Sequence, residues 1–174
     1  TREGALGANM ITRNAQLMRG YMAKYDLPED AFANFAFNAH RNSVSNENAL
    51  FRKRISMRKI RNSRVVYEPT QLYDSAPVCD GAAAVLMVPI DRVAKDSSHS
   101  IRGRASTVAT DRFRVEDRED PLSLAASRES ARRAYAKSGL SPEDIALFEA
   151  HDAFSIMAAL QLEAGGFAGP GEGW

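Results

Sequence analysis

The sequence has little cysteine, little net charge and no long apolar run. Its 174 residues include one cysteine, Cys79, which excludes an internal disulfide and a multi-cysteine metal site. The formal net charge of +1 argues against a broad nucleic-acid-binding surface. No apolar run approaches the roughly 20 residues that a membrane-spanning helix needs, and the N-terminal residues do not resemble an export signal. The default expectation is therefore a cytoplasmic protein without a metal, a membrane span or a nucleic-acid partner.

The composition is that of a folded protein. The apolar fraction of 44% and the charged fraction of 26% are typical of a globular domain rather than a disordered chain. The length fits one domain, or pieces of two. The chain opens with Thr1 in an amphipathic pattern and closes on a glycine-rich stretch at residues 165–174. We expect it to be an internal fragment of a longer protein.

The first third is predicted to be helical. Apolar residues recur at helical spacing over about residues 5–25, and Pro28 suits the first turn of a second helix. His40, on the apolar stripe of that second helix, is interpreted as a half-buried helix residue rather than a ligand. Lysine and arginine are then dense over residues 52–64. This basic segment fits either a solvated helical face or a site for an anion such as a nucleotide phosphate.

The remainder alternates between apolar runs and helical patterns. Strands are predicted at residues 65–67, 82–88, 101–110 and 146–150, and helices at 91–95, 121–138 and from 153 onward. The run 82–88 suits a strand buried on both faces, and Gly139 is a typical helix stop. Such alternation predicts a layered α/β protein, in which the first third is an inserted helical lobe.

The most informative segment is residues 148–154, in which an apolar strand leads into His151 and Asp152 just before a helix. Titratable side chains at a strand-to-helix turn are where α/β enzymes commonly place their chemistry. Histidine can hold a water or donate to a developing oxyanion near neutral pH. The structural alternative is that His151 caps the following helix and Asp152 is its N-terminal acid.

Several stretches resemble the thiolase family, in particular its sterol-carrier-protein-type and archaeal branch. Residues 149–154, Glu-Ala-His-Asp-Ala-Phe, resemble that branch's histidine-aspartate-cysteine-phenylalanine motif. Residues 75–84, Ser-Ala-Pro-Val-Cys-Asp-Gly-Ala-Ala-Ala, resemble its serine-proline-valine-serine-aspartate-glycine-alanine segment. Further similarity lies at residues 22–28, 38–42, 166–167 and 171–173. The resemblance therefore extends over essentially the whole chain.

This resemblance implies a partial thiolase fold, a layered α/β/α architecture with a mostly helical inserted loop lobe. Residues 1–67 would be the lobe on the coenzyme A-binding side, 68–110 the end of the N-terminal half, and 111–174 the truncated start of the C-terminal half. Thiolases make or break a carbon–carbon bond between acyl units carried on coenzyme A. The resemblance thus implies a fragment of an acetyl-CoA C-acetyltransferase or 3-ketoacyl-CoA thiolase. Acyl-CoA would be the substrate, no separate cofactor would be needed, and the parent would be a homo-oligomer.

The resemblance also assigns roles to individual residues. His151 would stand where classical thiolases have an asparagine that positions a water or the acyl oxygen, and Asp152 would orient the turn. The pantetheine arm and acyl group would be bound by Ser75, Ala76, Pro77, Ala153 and Phe154. The nucleotide phosphates would be bound by Arg52, Lys53, Arg54 and Arg58.

The chain departs from the family pattern at two positions. Ala153 stands where the nearest branch has a cysteine thought to serve as the acid/base. Cys79 does not match the family's nucleophile, so it is interpreted as a small buried structural residue. We therefore expect the isolated chain to be inactive. The alternative is that the parent is a non-catalytic thiolase-like subunit, which binds coenzyme A or scaffolds a partner enzyme.

Overall fold

The structure is a computed structural model that describes Gly4, residues 7–93 and residues 100–174. Over these residues it contains five α-helices, one β-hairpin and several single 3-10 turns. The helices are α1 (Met10–Tyr25), α2 (Ala33–Asn42), α3 (Met57–Arg61), α4 (Ala125–Ser138) and α5 (Ser155–Ala164). The hairpin strands are β1 (Val65–Tyr67) and β2 (Thr70–Gln71). The 3-10 turns are Ser43–Ser45, Leu72–Asp74, Ile90–Arg92, Val115–Asp117 and Pro142–Asp144.

Helix α1 begins and ends on local capping signals. The Asn9 side chain accepts from the Thr12 backbone N–H at 3.0 Å, and the Thr12 hydroxyl accepts from the Asn9 N–H at 2.9 Å. This reciprocal pair satisfies two N–H groups that a helix end leaves without partners. Asp26 ends the helix in the left-handed conformation, at φ 53°, and its N–H donates to the Met22 carbonyl. The predicted helix is thus confirmed from residue 10, while residues 5 and 6 lie outside the described chain.

The main core forms where α1 packs against α5. It contains buried side chains from both helices and from the segments beside them: Leu17, Met18, Tyr21, Phe32, Leu124, Phe154, Ile156, Ala159, Leu160 and Ala164. A second, smaller core lies between α2 and α3, around Ala33, Ala36 and Ile60. Burial of apolar surface stabilises both clusters. Helix α1 is consequently tied to the helix that follows residues 151–154.

One of the four predicted strands is confirmed. Residues 65–67 pair antiparallel with β2, with Val65 opposite Gln71 and Tyr67 opposite Thr70. The predictions of strands at residues 82–88, 101–110 and 146–150 are wrong, because these runs have no regular secondary structure. Their apolar side chains are exposed, as Leu86 at 90% illustrates. A strand needs a hydrogen-bonded neighbour, and no described segment forms a ladder with these runs.

Two helix predictions need correction. Only the 3-10 turn Ile90–Arg92 replaces the helix predicted at 91–95, and residues 94 and 95 lie outside the described chain. Helix α4 begins at Ala125 rather than at residue 121, because Asp120 holds the preceding residues in a turn. Its carboxylate accepts from the Leu122 N–H at 2.9 Å and its carbonyl from the Ser123 N–H at 3.0 Å. Gly139 ends α4 at φ 70°, as predicted.

The observed mixture of helices with a small sheet agrees with a partial α/β fold. None of the helices in the described part of the chain is long and apolar enough to span a membrane. The proposed division at residues 67/68 and 110/111 stays a prediction.

Candidate functional site

Two of the predicted site segments are direct neighbours. The Ala76 N–H donates to the Ala153 carbonyl oxygen at 2.9 Å, and Ser75 pairs with Phe154 in an isolated antiparallel bridge. The structure therefore places residues 75–77 alongside the His-Asp-Ala-Phe turn at residues 151–154. These segments are more than 70 positions apart in the sequence, so only the fold brings them together.

The turn presents its polar side chains outward and is anchored by its last residue. His151 and Asp152 are exposed, Ala153 is half-buried, and Phe154 is buried in the main core at 6% exposure. The His151 imidazole makes no hydrogen bond with the described residues, which leaves both ring nitrogens open to a ligand. The capping alternative is wrong, because Phe154 is the N-cap residue of α5 and no side chain caps this helix.

Gln161, which the sequence reasoning missed, binds the main chain of His151. Its Oε1 accepts from the His151 N–H at 3.3 Å, and its Nε2 donates to the His151 carbonyl at 2.6 Å. One side-chain amide thus satisfies both backbone polar groups of the candidate catalytic residue. The available signal was a single amide side chain in the otherwise apolar run of α5, followed only by Glu163 near its end.

Gln161 also borders an open groove of about 460 Å³ on the α4 side of the turn. Small side chains of α4, including Ala126, Ala131 and Ala134, form one wall, and Phe148 lies on the other. His151 does not line this groove. The groove is therefore not a binding cleft around the imidazole, which lies exposed outside it.

Asp74 closes the 3-10 turn just before residues 75–77. Its carboxylate accepts from the Gln71 N–H at 2.8 Å. Burial raises the pKa of the Asp74 carboxyl above its usual range, and hydrogen bonding partly opposes that shift. Asp74 thereby fixes the backbone that leads into Ser75.

The basic residues assigned to phosphate binding remain available for an anion. Exposed side chains with no ion pair to the described residues are found at Arg52, Lys53, Arg54 and Arg58. By contrast, the nearby Arg61 is bound to Asp30 at 2.7 Å. None of these four side chains forms a hydrogen bond or an ion pair with His151 in the described part of the chain.

His40 links this basic segment to the 75–77 side of the site. Its Nδ1 donates to the Lys53 carbonyl at 3.1 Å. Its ring stacks on Phe51 with centroids 6.2 Å apart and meets Tyr73 edge-on at 5.8 Å. The predicted half-buried helix position of His40 is confirmed. Because Tyr73 lies two residues before Ser75, His40 and Tyr73 form a continuous contact from the basic segment toward the turn.

Cys79 is exposed, so its interpretation as a buried structural residue is wrong. The segment that follows Pro77 has no packing partner among the described residues, and its side chains face solvent for that reason. Within residues 4, 7–93 and 100–174, no group of three histidine, cysteine or acidic residues is placed to hold a metal ion.

The glycine-rich C-terminal turn is bound to α5 by one carboxylate. Glu163 Oε1 accepts from the Gly171 N–H at 2.9 Å, from the Gly173 N–H at 3.4 Å and from the Tyr21 hydroxyl of α1. Burial, followed by the bond to Glu163, raises the pKa of the Tyr21 phenol above its ordinary value. Glu163 therefore joins α1, α5 and the terminal turn.

Comparisons with known proteins agree on one family. Residues 107–174 match the family described as "Thiolase C-terminal domain-like". The acetyl-CoA acetyltransferase of Methanothermobacter thermautotrophicus is 32% identical over 171 residues, which cover 98% of this chain and 45% of that protein. Sterol carrier protein 2 of Oryctolagus cuniculus is 32% identical over 158 residues, covering 88% of this chain and 29% of that protein.

A solved structure titled "Ltp2-ChsH2(DUF35) aldolase" has the same fold. It superposes with a TM-score of 0.73 at 22% identity, over 92% of this chain and 44% of that chain. The present chain thus spans less than half the length of the relatives it matches. The predicted fold class, a partial α/β thiolase-type fold, is confirmed. The resemblance to the thiolase family is confirmed, since the relatives align over most of the chain and the family model matches residues 107–174.

Proposed function

We propose that this chain is part of a thiolase-type acyl-CoA acyltransferase, in which His151 donates to the acyl oxygen during Claisen condensation or thiolysis. The observation that supports this most is the contact between residues 75–77 and the turn at residues 151–154, through the Ala76–Ala153 hydrogen bond. A thioester arm lying along the first segment would bring its acyl end to the second. This assignment of roles is a proposal from the family resemblance and the local geometry.

The imidazole is suited to this task because it is exposed and its ring nitrogens have no partner among the described residues. A positioned donor aimed at a developing oxyanion contributes about 2.7–4 kcal/mol to transition-state stabilisation. The donor must keep its position while the charge develops. The buried Phe154 on one side, and the Ala76 bond to Ala153, hold the turn for that purpose.

The basic segment would bind the nucleotide end of coenzyme A. Arginine's planar fork matches phosphate oxygens, and Arg52 and Arg54 are exposed. The contacts of His40 with Lys53 and Tyr73 give the direction in which the ligand would run. The nucleotide would lie on the lobe, the pantetheine arm along residues 75–77 and the acyl group at His151.

A calorimetric titration with coenzyme A tests the nucleotide part. Replacing Arg52 and Arg54 by serine is expected to weaken binding about thirtyfold or more, since each of the two lost charge-assisted bonds costs on the order of 1 kcal/mol or more. The control replaces Arg128 and Lys137, two exposed cations of α4, by serine and should bind as the wild type does. Equal affinity of the two double variants would contradict the phosphate assignment.

An assay of acetoacetyl-CoA cleavage tests the catalytic part. The chain's one cysteine, Cys79, does not correspond to the family's acyl-accepting thiolate. We therefore expect no turnover from the isolated chain, although it should still bind acetyl-CoA. Measurable cleavage by the isolated chain would contradict the proposal that this chain lacks the acyl-accepting thiolate.

A non-catalytic coenzyme A-binding or scaffold subunit is the second candidate. Ala153 favours it, because the branch that the chain resembles has a cysteine there. The two candidates differ at His151. A donor to the acyl oxygen should show a larger NMR shift of its ring signals with acetyl-CoA than with coenzyme A. A scaffold subunit should respond equally to both.

A further inference from the structure

Gln161 holds both backbone polar groups of His151. The amide oxygen accepts from the His151 N–H at 3.3 Å, and the amide nitrogen donates to the His151 carbonyl at 2.6 Å. An exposed turn residue would ordinarily give these groups to water. Here a side chain ten positions further along the sequence takes both.

The Gln161 amide is itself rigidly supported. It extends from the second turn of α5, and its neighbour Leu160 is 1% exposed in the main core. Ile156 and Ala159 of the same helix are fully buried. The backbone from which the amide projects is therefore fixed by packing, and the amide transmits that position to the turn.

Only a primary amide of this length meets the requirement. One donor and one acceptor are needed on two atoms that share one carbon. A side-chain amide carries both, whereas an ionised carboxylate only accepts. Asparagine would have the same groups on a side chain shorter by one carbon. Glutamate would keep the acceptor for the His151 N–H but lose the donor to its carbonyl.

We propose that Gln161 is a positioning residue that sets the direction of the His151 imidazole. The turn is then held from two sides, by Gln161 at residue 151 and by the Ala76 N–H at residue 153. With the main chain at residue 151 fixed, the ring retains only its own side-chain torsions. The consequence for acyl-CoA rests on the proposed function of His151, whereas the restraint on the His151 main chain does not.

Hydrogen exchange and NMR of the 174-residue chain test this restraint. In the Gln161→Ala variant the His151 amide should exchange about tenfold faster, since it loses a native hydrogen bond. The amides of Ile156 and Leu160 in the core should exchange at wild-type rates. Gln161→Glu should keep most of the protection of the His151 amide. The control, Gln16→Ala, removes an exposed glutamine of α1 and should leave the exchange rates of the His151 amide and of the core amides unchanged.

The second readout is the response of the His151 ring signals to acetyl-CoA. Gln161→Ala should reduce this shift severalfold while leaving the affinity for coenzyme A within about twofold, because Gln161 acts through His151 only. Gln161→Glu should reduce the shift as well, since the bond to the His151 carbonyl is lost.

Two results would overturn the proposal. One is wild-type exchange of the His151 amide in Gln161→Ala. The other is faster exchange throughout α5, which would make Gln161 a general support of the helix. If the wild-type ring does not respond to acetyl-CoA at all, the proposed function of His151 fails, and the exchange rates alone then decide whether Gln161 restrains the turn.

Discussion

Glu163 offers the sharpest test of how α1 is attached to α5. One of its oxygens accepts from the Gly171 and Gly173 N–H groups at 2.9 and 3.4 Å and from the Tyr21 hydroxyl. Tyr21 is fully buried, with 0% exposure. The carboxylate is therefore the partner of a hydroxyl that water does not reach. Removing it should be costly.

The magnitude follows from the partners that each variant leaves. Hydrogen bonds to charged groups contribute about 1.5–3 kcal/mol each, and a buried hydroxyl left unsatisfied costs about 1–3 kcal/mol. Glu163→Ala loses three such bonds and leaves the Tyr21 hydroxyl unpaired, so it should lower the free energy of unfolding by at least about 4 kcal/mol. Tyr21→Phe loses only one such bond and keeps the ring in the core, so its cost should be about 1.5–3 kcal/mol.

Urea unfolding followed by circular dichroism gives these free energies for the two variants and their double variant. In the double variant the unpaired hydroxyl is absent, so we expect a coupling of about 1–2 kcal/mol between the two sites. Glu172→Ala is the matched control, because Glu172 is exposed in the same turn. It should stay within about 0.5 kcal/mol of the wild type. Strict additivity of Tyr21→Phe and Glu163→Ala would refute this account of the contact.

Three further outcomes follow from the same structure. Burial and the bond to Glu163 raise the pKa of Tyr21. The contribution of Tyr21 to the free energy of unfolding should therefore be complete below the unfolded phenol's pKa of about 10 and fall as the pH rises above it. Tyr21→Phe should reduce that alkaline loss, as urea titrations at pH 9 and 11 would reveal. Gly173→Ala places a Cβ 2.3 Å from the Ala159 carbonyl oxygen and should cost at least about 1–3 kcal/mol. Gly169→Ala, whose Cβ meets only the flexible end of the Glu172 side chain, should destabilise the protein less. Thermal melts of both variants measure the two effects. Burial raises the pKa of Asp74, so its contribution is complete below the unfolded carboxyl pKa and is lost as the pH rises through the folded pKa. Asp74→Asn should flatten the stability profile between pH 4 and 7, and an unchanged profile would contradict the burial of this carboxyl.

Local signals in the sequence determined much of the secondary structure. The stop at Asp26, the strand at residues 65–67 and the cap at Gly139 all depend on residues within a few positions of each other, so the sequence predicts them correctly. The same holds for the family resemblance at residues 149–154, which is a property of the residue order alone.

The strand predictions at 82–88, 101–110 and 146–150 failed for a different reason. Apolar runs of this kind favour extended structure only when a neighbouring strand accepts and donates their backbone hydrogen bonds. Among the described residues no such neighbour is present. Composition cannot reveal whether a partner exists, because the partner is a distant part of a chain.

The residues that surround His151 were likewise decided by the tertiary structure. The sequence identified the histidine, but it did not predict that Gln161 binds its main chain or that Ala76 bonds to Ala153. Nor did it predict the contacts of His40 with Tyr73 or of Glu163 with Tyr21. Side-chain contacts of this kind depend on how helices pack, and packing is fixed by the combined shape of α1, α5 and the turn rather than by any local pattern. The sequence by itself therefore determined where the candidate donor lies in the chain, and the fold determined what holds it in place.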